Sequence, residues 1–503
     1  MLHTENVVNK SPEKYLVPSL AQSHQMKLPF SEAERLVSSP KWSRSGVPRE
    51  AKELGRAASH TGWVQKRALT ADLMEAISSL KNLTAAAQRV ISNGGSSGVD
   101  EMTTDELKRW TPRNYESLRQ SLLRGDYRVS VVRGVAIPKA SGGERMLGIP
   151  TVIDRLVQQA IHQVLNPMYD RTFSDNSFGF RPKRRAHGAL RQAAANVKAG
   201  RRWIVDIDLA KFFDEVNHDR LLGKLSRDIG DVRVIKLIGR FLRSGMLRSG
   251  LVSQRTKGTP QGSPLSPLLS NIVLDELDQE LTRRGHTFVR YADDMIIQVG
   301  SKQSACRVMK SITNFIEVRM KLRVNQSKSA IRRVQETKFL GYRLLNGGHL
   351  GISQESERRF KAKVRELTSR RRGISLERMI SELNAALRGW LGYFGLARIK
   401  VRLRDWTGWI KRRIRCFRLK QCKRAIGLAR FLRRFGLPEN RVWLLAGSSR
   451  GWYTKACSPP AHESMNNEWF RQIGLYDLLA NYGWQVKGTA QYGVRTLGGV
   501  RGR

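Results

Sequence analysis

One strand-like run, Arg202-Trp203-Ile204-Val205-Asp206-Ile207-Asp208-Leu209, constrains the fold of this chain more than any other segment. Side chains alternate along a strand, so Trp203, Val205, Ile207 and Leu209 share one face while Ile204, Asp206 and Asp208 share the other. Apolar residues on both faces predict a buried strand. Two carboxylates on one face of such a strand are costly unless something cationic pairs with them.

A second acidic cluster lies in His286-Thr287-Phe288-Val289-Arg290-Tyr291-Ala292-Asp293-Asp294-Met295-Ile296-Ile297-Gln298-Val299. Two β-prone runs flank a short polar centre, which predicts a hairpin with Asp293 and Asp294 at the bend. Adjacent carboxylates repel each other and are best tolerated where a divalent cation sits between them and a third acid. An Asp-Asp pair in a turn is more often a solvated loop. The apolar flanks and the other acidic strand bring metal chemistry level with that reading.

Charge points outward from these acids. The 503 residues hold 90 Lys+Arg against 43 Asp+Glu, a formal net charge of +47. The usual counter-charge for such a surplus is a polyanion, most often nucleic acid. No apolar run reaches the roughly 18 residues needed to span a bilayer, and the N-terminus, MLHTENVVNKSPEKY, lacks the apolar stretch of a secretory signal. Four cysteines (Cys306, Cys416, Cys422, Cys457) do not build a disulfide framework, so a cytoplasmic location is expected, with no membrane partner.

Pattern divides the chain into a polar N-terminal extension (1–60), a helical extension (61–125), a mixed α/β region (126–350), a helical region (351–447) and a Gly- and aromatic-rich C-terminal segment (448–503). Met379, Leu383, Leu387, Trp390 and Phe394 repeat at helical spacing, which predicts a core stripe. The next predicted helix has Ile410, Ile414 and Phe417 on one face and Lys411, Arg412, Arg413, Arg415, Arg418 and Lys420 around the remainder. That many cations make a poor solvated face unless phosphates neutralise them, so these six are candidate RNA-binding residues. Residues 361–450 carry 25 Lys+Arg against 5 Asp+Glu.

Several blocks, taken in order, resemble reverse transcriptases. Tyr291-Ala292-Asp293-Asp294 looks like that family's signature tetrapeptide. Arg145-Met146-Leu147-Gly148-Ile149-Pro150 with Asp154-Arg155 resembles the fingers motif, and Ser177-Phe178-Gly179-Phe180-Arg181-Pro182 the next block. Asp206 to Phe213 resembles the first palm motif, and Gly258-Thr259-Pro260-Gln261-Gly262-Ser263-Pro264 the loop that follows it. Asn325-Gln326-Ser327-Lys328 and Phe339-Leu340-Gly341-Tyr342 complete the set. The resemblance implies an α/β right-hand polymerase (fingers and palm) followed by an α-helical thumb. It makes Asp208, Asp293 and Asp294 the catalytic acids holding two Mg2+ ions, with Asp208 favoured over Asp206. Such ions would activate the attacking 3′-hydroxyl and stabilise the departing pyrophosphate.

By the same resemblance Phe212 underlies the incoming sugar and excludes a 2′-hydroxyl, with a plain core ring as its alternative. Gln261 and Gly262 pack against template and nucleotide. Lys139 and Arg145 are candidates for the deoxynucleoside triphosphate, and Lys328 for support of the palm; for each the alternative is a solvated surface charge.

Residues 351–447 resemble the thumb, or domain X, of proteins encoded by group II introns, which implies binding of intron RNA and maturase activity. Residues 448–484 resemble that family's C-terminal segment, which implies contact with target DNA through Arg450, Trp452 and Tyr453, with a small aromatic core as the equal alternative. No Cys-x-x-Cys pair marks the HNH nuclease domain that many relatives carry, so a lineage without it is expected, priming from a nascent strand at a replication fork. The competing readings are a splicing factor with a decayed polymerase site and a reverse transcriptase recruited for defence or repair. The sequence specifies no oligomer.

Overall fold

The computed structural model describes residues 70–138 and 144–482. Lys139, residues 1–60 and the end of the C-terminal segment therefore lie outside the described residues, as does the side chain of Arg145.

The acidic strand is where the sequence places it. Trp203–Ile207 (β3) lies inside a four-stranded sheet with Thr287–Tyr291 (β6), Asp294–Val299 (β7) and Ala330–Arg333 (β8), in the order β6-β7-β3-β8. β3 runs antiparallel to β7 and β8, with Asp206 opposite Ile296 and Ala330. Both faces of the sheet are covered, which is why the strand carries apolar residues at both parities. Val205, Ile207, Phe288, Met295 and Ile297 join one hydrophobic cluster, and Ile204, Val289 and Ile296 join a second.

Helices from the N-terminal half contribute to the first cluster. Leu73–Ser78 (α1), Leu80–Asn93 (α2) and Thr104–Arg124 (α3) contribute Met74, Leu83, Leu107 and Leu122, and Val152–Asp170 (α4) adds Leu156, Ile161 and Leu165. The predicted helical extension thus shares a core with the mixed region. α3 begins with a reciprocal cap between Thr103 and Glu106 and stops at Gly125, whose φ of +73° ends the helix. Val132–Pro138 (β1) and Glu144–Ile149 (β2) form an antiparallel pair extended by Met246–Arg248 (β4) and Leu251–Ser253 (β5).

The second cluster joins the other face of the β6-β7-β3-β8 sheet to the helical region. It gathers Leu190 and Val197 from Ala186–Lys198 (α5) and Phe339, Tyr342 and Ile352 from a small sheet of Lys338–Phe339 (β9), Tyr342–Leu345 (β10) and His349–Ile352 (β11). Next come Gln354–Leu367 (α6), Leu376–Phe394 (α7) and Lys400–Gln421 (α8). Of the stripe predicted as core, Met379, Leu383 and Leu387 are buried on α7, while Trp390 and Phe394 are half-buried against the same cluster. Among the described residues no helix is long and apolar enough to cross a membrane.

Candidate active site

The four aspartates meet at one end of the β6-β7-β3-β8 sheet. Asp206 is the penultimate residue of β3, and Asp208 follows the strand. The hairpin bends one residue earlier than expected: Ala292 and Asp293 form the turn, and Asp294 already pairs with Tyr291 as the first residue of β7. Ala292 makes this possible by taking a left-handed φ of +59°. That conformation costs an alanine about 1–2 kcal/mol, so the turn needs outside support.

The two acids of β3 have different neighbours. Arg332, diagonally across on β8, forms an ion pair with Asp206. Asp208 is held through its backbone: its N–H donates to Ser329 Oγ at 3.0 Å, and its carbonyl accepts from the Asn325 N–H at 2.8 Å. Lys328 Nζ stands 3.8 Å from the Asp208 carboxylate. The Asn325–Lys328 motif therefore fixes the position of this acid and gives it a cation.

Desolvation at the sheet end, then the charges of Asp206 and Asp293, push the Asp294 carboxyl up to about 7, against a lowering pull from the Leu340 backbone. Burial raises Asp206 as well, against the pull of Arg332. Among the described residues no three His, Cys, Asp or Glu side chains stand close enough together, as placed, to hold a metal ion. Asp206, Asp208, Asp293 and Asp294 nonetheless supply the oxygen ligands that a hard divalent cation such as Mg2+ takes. The Asp294 side chain is exposed, so solvent screens its repulsion with the neighbouring acids and little of the shift reaches the stability of the fold.

Support for the turn comes from residues that the pattern did not single out. Arg290 on β6 is 1% exposed and Asp278, on Ser266–Arg283 (α9), is 0% exposed. Arg290 Nε donates to Asp278 Oδ1 at 2.8 Å, and its Nη1 donates to Asn271 Oδ1 and to the Ala292 carbonyl, each at 2.9 Å. Asn271 Nδ2 donates to the Gly179 carbonyl at 2.9 Å. Gly179 lies against the turn so closely that a Cβ would come within 2.2 Å of the Ala292 nitrogen. The one sequence signal for this network was an arginine inside an apolar strand, which needs a buried partner.

The loop after β5 lies against the same region. The Gly148 N–H donates to the Gln261 carbonyl at 2.9 Å. Gly262 has φ of +108°, and a Cβ there would stand 3.1 Å from the Gly148 carbonyl, so glycine is required twice over. The Thr259 N–H donates to the Phe213 carbonyl at 2.6 Å, tying the loop to the segment that follows Asp208. Phe212 itself is 2% exposed and packs in the first core cluster, edge-on to Phe213 with ring centroids 5.3 Å apart. The expected sugar platform is therefore a buried ring, and Phe213 is the more accessible of the pair.

The basic face expected on α8 needs correction. Arg415 is 7% exposed and donates from Nε and Nη2 to the Met465 carbonyl at 3.0 and 2.9 Å. It is a packing residue because the C-terminal segment folds back over α8. Arg413 donates to Thr368 Oγ1 at 2.6 Å, Lys411 to Asn467 Oδ1 at 2.7 Å, and Arg418 stacks 4.3 Å from the Phe431 ring centroid. Of the six, Lys420 alone is fully exposed. In the C-terminal segment Trp452 is half-buried against the second cluster, Arg450 is exposed, and Tyr453 is 59% exposed beneath the Arg412 guanidinium.

Comparison with known proteins gives the following. The family profile described as reverse transcriptase (RNA-dependent DNA polymerase) matches residues 137–344, and the one described as group II intron, maturase-specific domain matches residues 357–436. Protein YkfC of Escherichia coli (strain K12) is 31% identical over 344 residues, covering 59% of this chain and 90% of the relative. Group II intron-encoded protein LtrA of Lactococcus lactis subsp. cremoris is 31% identical over 325 residues, covering 51% of this chain and 54% of that protein. A putative COX1/OXI3 intron 2 protein of Saccharomyces cerevisiae is 28% identical over 331 residues, 54% of this chain and 38% of the relative. The match spans most of the first relative and about half or less of the other two.

Proposed function

Because this chain belongs to the family of group II intron-encoded reverse transcriptases and maturases, and so to the RNA-directed DNA polymerases, we propose that it copies its intron RNA into DNA during target-primed retrohoming and assists splicing of the same RNA. The observation that supports the polymerase half is the gathering of Asp208, Asp293 and Asp294 at one sheet end.

Those three acids would hold two divalent cations, which when bound supply Lewis-acid polarisation of the primer 3′-hydroxyl and charge for the departing pyrophosphate. The chain's own residues orient the reactants. Lys328, beside Asp208, adds positive charge where the triphosphate gathers, with Lys139 and Arg145 as its proposed clamp. The Gln261–Gly262 backbone would lie against the templated base pair, and a side chain at Gly262 would crowd the Gly148 carbonyl and Leu147 behind it. Lys420 and the Arg412–Tyr453 pair are the accessible groups offered to intron RNA, and Arg450 with Tyr453 to target DNA.

Discrimination against a 2′-hydroxyl is assigned to the Phe212–Phe213 pair. Phe212→Val should raise ribonucleotide incorporation relative to deoxynucleotide by about tenfold or more. Unchanged discrimination with a lowered melting temperature would make Phe212 a core residue only. The maturase half is tested by splicing of the host intron at low Mg2+ with and without the protein; a rate independent of protein would reject it.

A further inference from the structure

β3 has parted from both neighbouring strands by the time the chain reaches Asp208. Its pairing with β8 ends at Asp206 opposite Ala330, and its pairing with β7 ends at Ile207 opposite Met295. The sheet ladder therefore makes no pair with Asp208. A carboxylate on an unheld backbone swings with its own peptide, and a misplacement of about 1 Å can cost two orders of magnitude in rate.

Pairing resumes beyond Asp208 on one side. Leu209 bridges Val324, and the Ala210 N–H donates to the Arg323 carbonyl at 2.8 Å. Residues 325–329 consequently stand opposite Ile207 and Asp208, and they close on themselves as a turn. The Lys328 and Ser329 N–H groups both donate to the Asn325 carbonyl, at 3.2 and 2.9 Å, and Ser327 Oγ donates to Asn325 Oδ1 at 2.8 Å. Arg332 ties the turn back to β3, since the side chain that pairs with Asp206 also donates from Nη2 to the Lys328 carbonyl at 3.4 Å.

This turn supplies what the ladder does not. The Asp208 carbonyl accepts from the Asn325 N–H at 2.8 Å. The Asp208 N–H donates to Ser329 Oγ at 3.0 Å, and the same hydroxyl donates to the Asp208 carbonyl at 3.4 Å. Asn325 makes its bond to Asp208 through the main chain, which every residue but proline could provide. Ser329 makes both of its bonds through the side chain, so one substitution removes them.

We propose that Ser329 is a positioning residue for polymerisation: its hydroxyl stands in for the missing ladder bond at Asp208 and so holds that carboxylate at the sheet end, within reach of Lys328 on the same turn. The proposal rests on the polymerase reading of Asp208, Asp293 and Asp294. Ser329 acts through the Asp208 backbone and takes no part in the chemistry itself.

Ser329→Thr and Ser329→Val give side chains of the same shape that differ by the hydroxyl, which makes the pair the test. Ser329 borders a groove of about 860 Å³ beside the helix Lys302–Asn314, which leaves room for the added methyl groups. In steady-state extension of a DNA primer on an RNA template, Ser329→Thr should keep most of the natural rate, while Ser329→Val should lose about tenfold in kcat. Ser329→Ala, which adds no bulk, should be as slow as Ser329→Val. The KM for deoxynucleotide and the template–primer dissociation constant should be the same in all three variants, with melting temperatures within about 2 °C of one another. Titration of the free protein with Mn2+, read by electron paramagnetic resonance, should show about tenfold weaker binding for Ser329→Val than for Ser329→Thr. Equal kcat in the threonine and valine variants, equal Mn2+ affinity, or a loss of rate matched by a lower melting temperature or a higher KM would each overturn the positioning role. An inactive natural protein under the same conditions would instead overturn the polymerase reading, while the Mn2+ titration still reports the hold of Ser329 on Asp208, so the two failures are distinct.

Discussion

Replacing Asp208 or Asp293 by asparagine should lower primer extension on an RNA template by at least about a thousandfold. The substitution preserves volume and removes only the charge that would hold a cation at the sheet end. Neither side chain is part of a core: Asp208 keeps 39% of its side-chain surface and Asp293 is exposed. The melting temperature and the affinity for RNA at fixed salt should therefore match those of the natural protein. Extension that survives replacement of both Asp293 and Asp294 by alanine would remove these residues from the mechanism.

Arg290→Met should be the most destabilising single substitution near the site. It strands the Asp278 carboxylate, which is 0% exposed, and breaking such a buried pair costs about 3–5 kcal/mol. Arg290→Lys retains the charge but loses the fork that serves Asp278, Asn271 and the Ala292 carbonyl together. The lysine variant should fold with a lower melting temperature and extend primers about 10- to 100-fold more slowly. Replacing Arg290 with Met and Asp278 with Leu in one protein separates stability from geometry. Burying two apolar groups in place of an ion pair should recover the melting temperature, while the unheld Ala292 carbonyl keeps extension slow. Recovery of both would reduce the arginine to a structural pair.

The acids at the sheet end were legible because local pattern specifies them. Strand alternation placed Asp206 and Asp208 on one face and the hairpin placed Asp293 and Asp294 beside them; the structure pairs β3 with β7 accordingly but turns the hairpin one residue earlier, at Ala292 and Asp293. What distinguishes Asp206 from Asp208 was not local. It depends on Arg332, more than a hundred residues along the chain, arriving on the neighbouring strand. The basic helix misled for the same reason. Periodicity counts cations around an axis, but whether Arg415 meets phosphate or the Met465 carbonyl is settled by a segment 50 residues later folding over it. Arg290 does lie in the β-prone flank, but its partner Asp278 lies on α9 and only tertiary packing joins them. Phe212 shows a different limit: a motif identifies the residue type at a position without saying how deeply the ring is set.

The division of the sheet between two cores also dictates a schedule. One face is covered by helices already synthesised when β8 ends at Arg333, whereas on the other face Ile204, Val289 and Ile296 have only α5 and await the rest of their cover from residues that continue to Tyr482. At 5–20 residues per second, about 150 further residues take roughly 8–30 s to emerge. For that interval the nascent chain displays an apolar sheet surface that α5 covers only in part. Any host that makes this protein has to shield that surface for the length of the delay, and slowing translation beyond Arg333 lengthens the exposure.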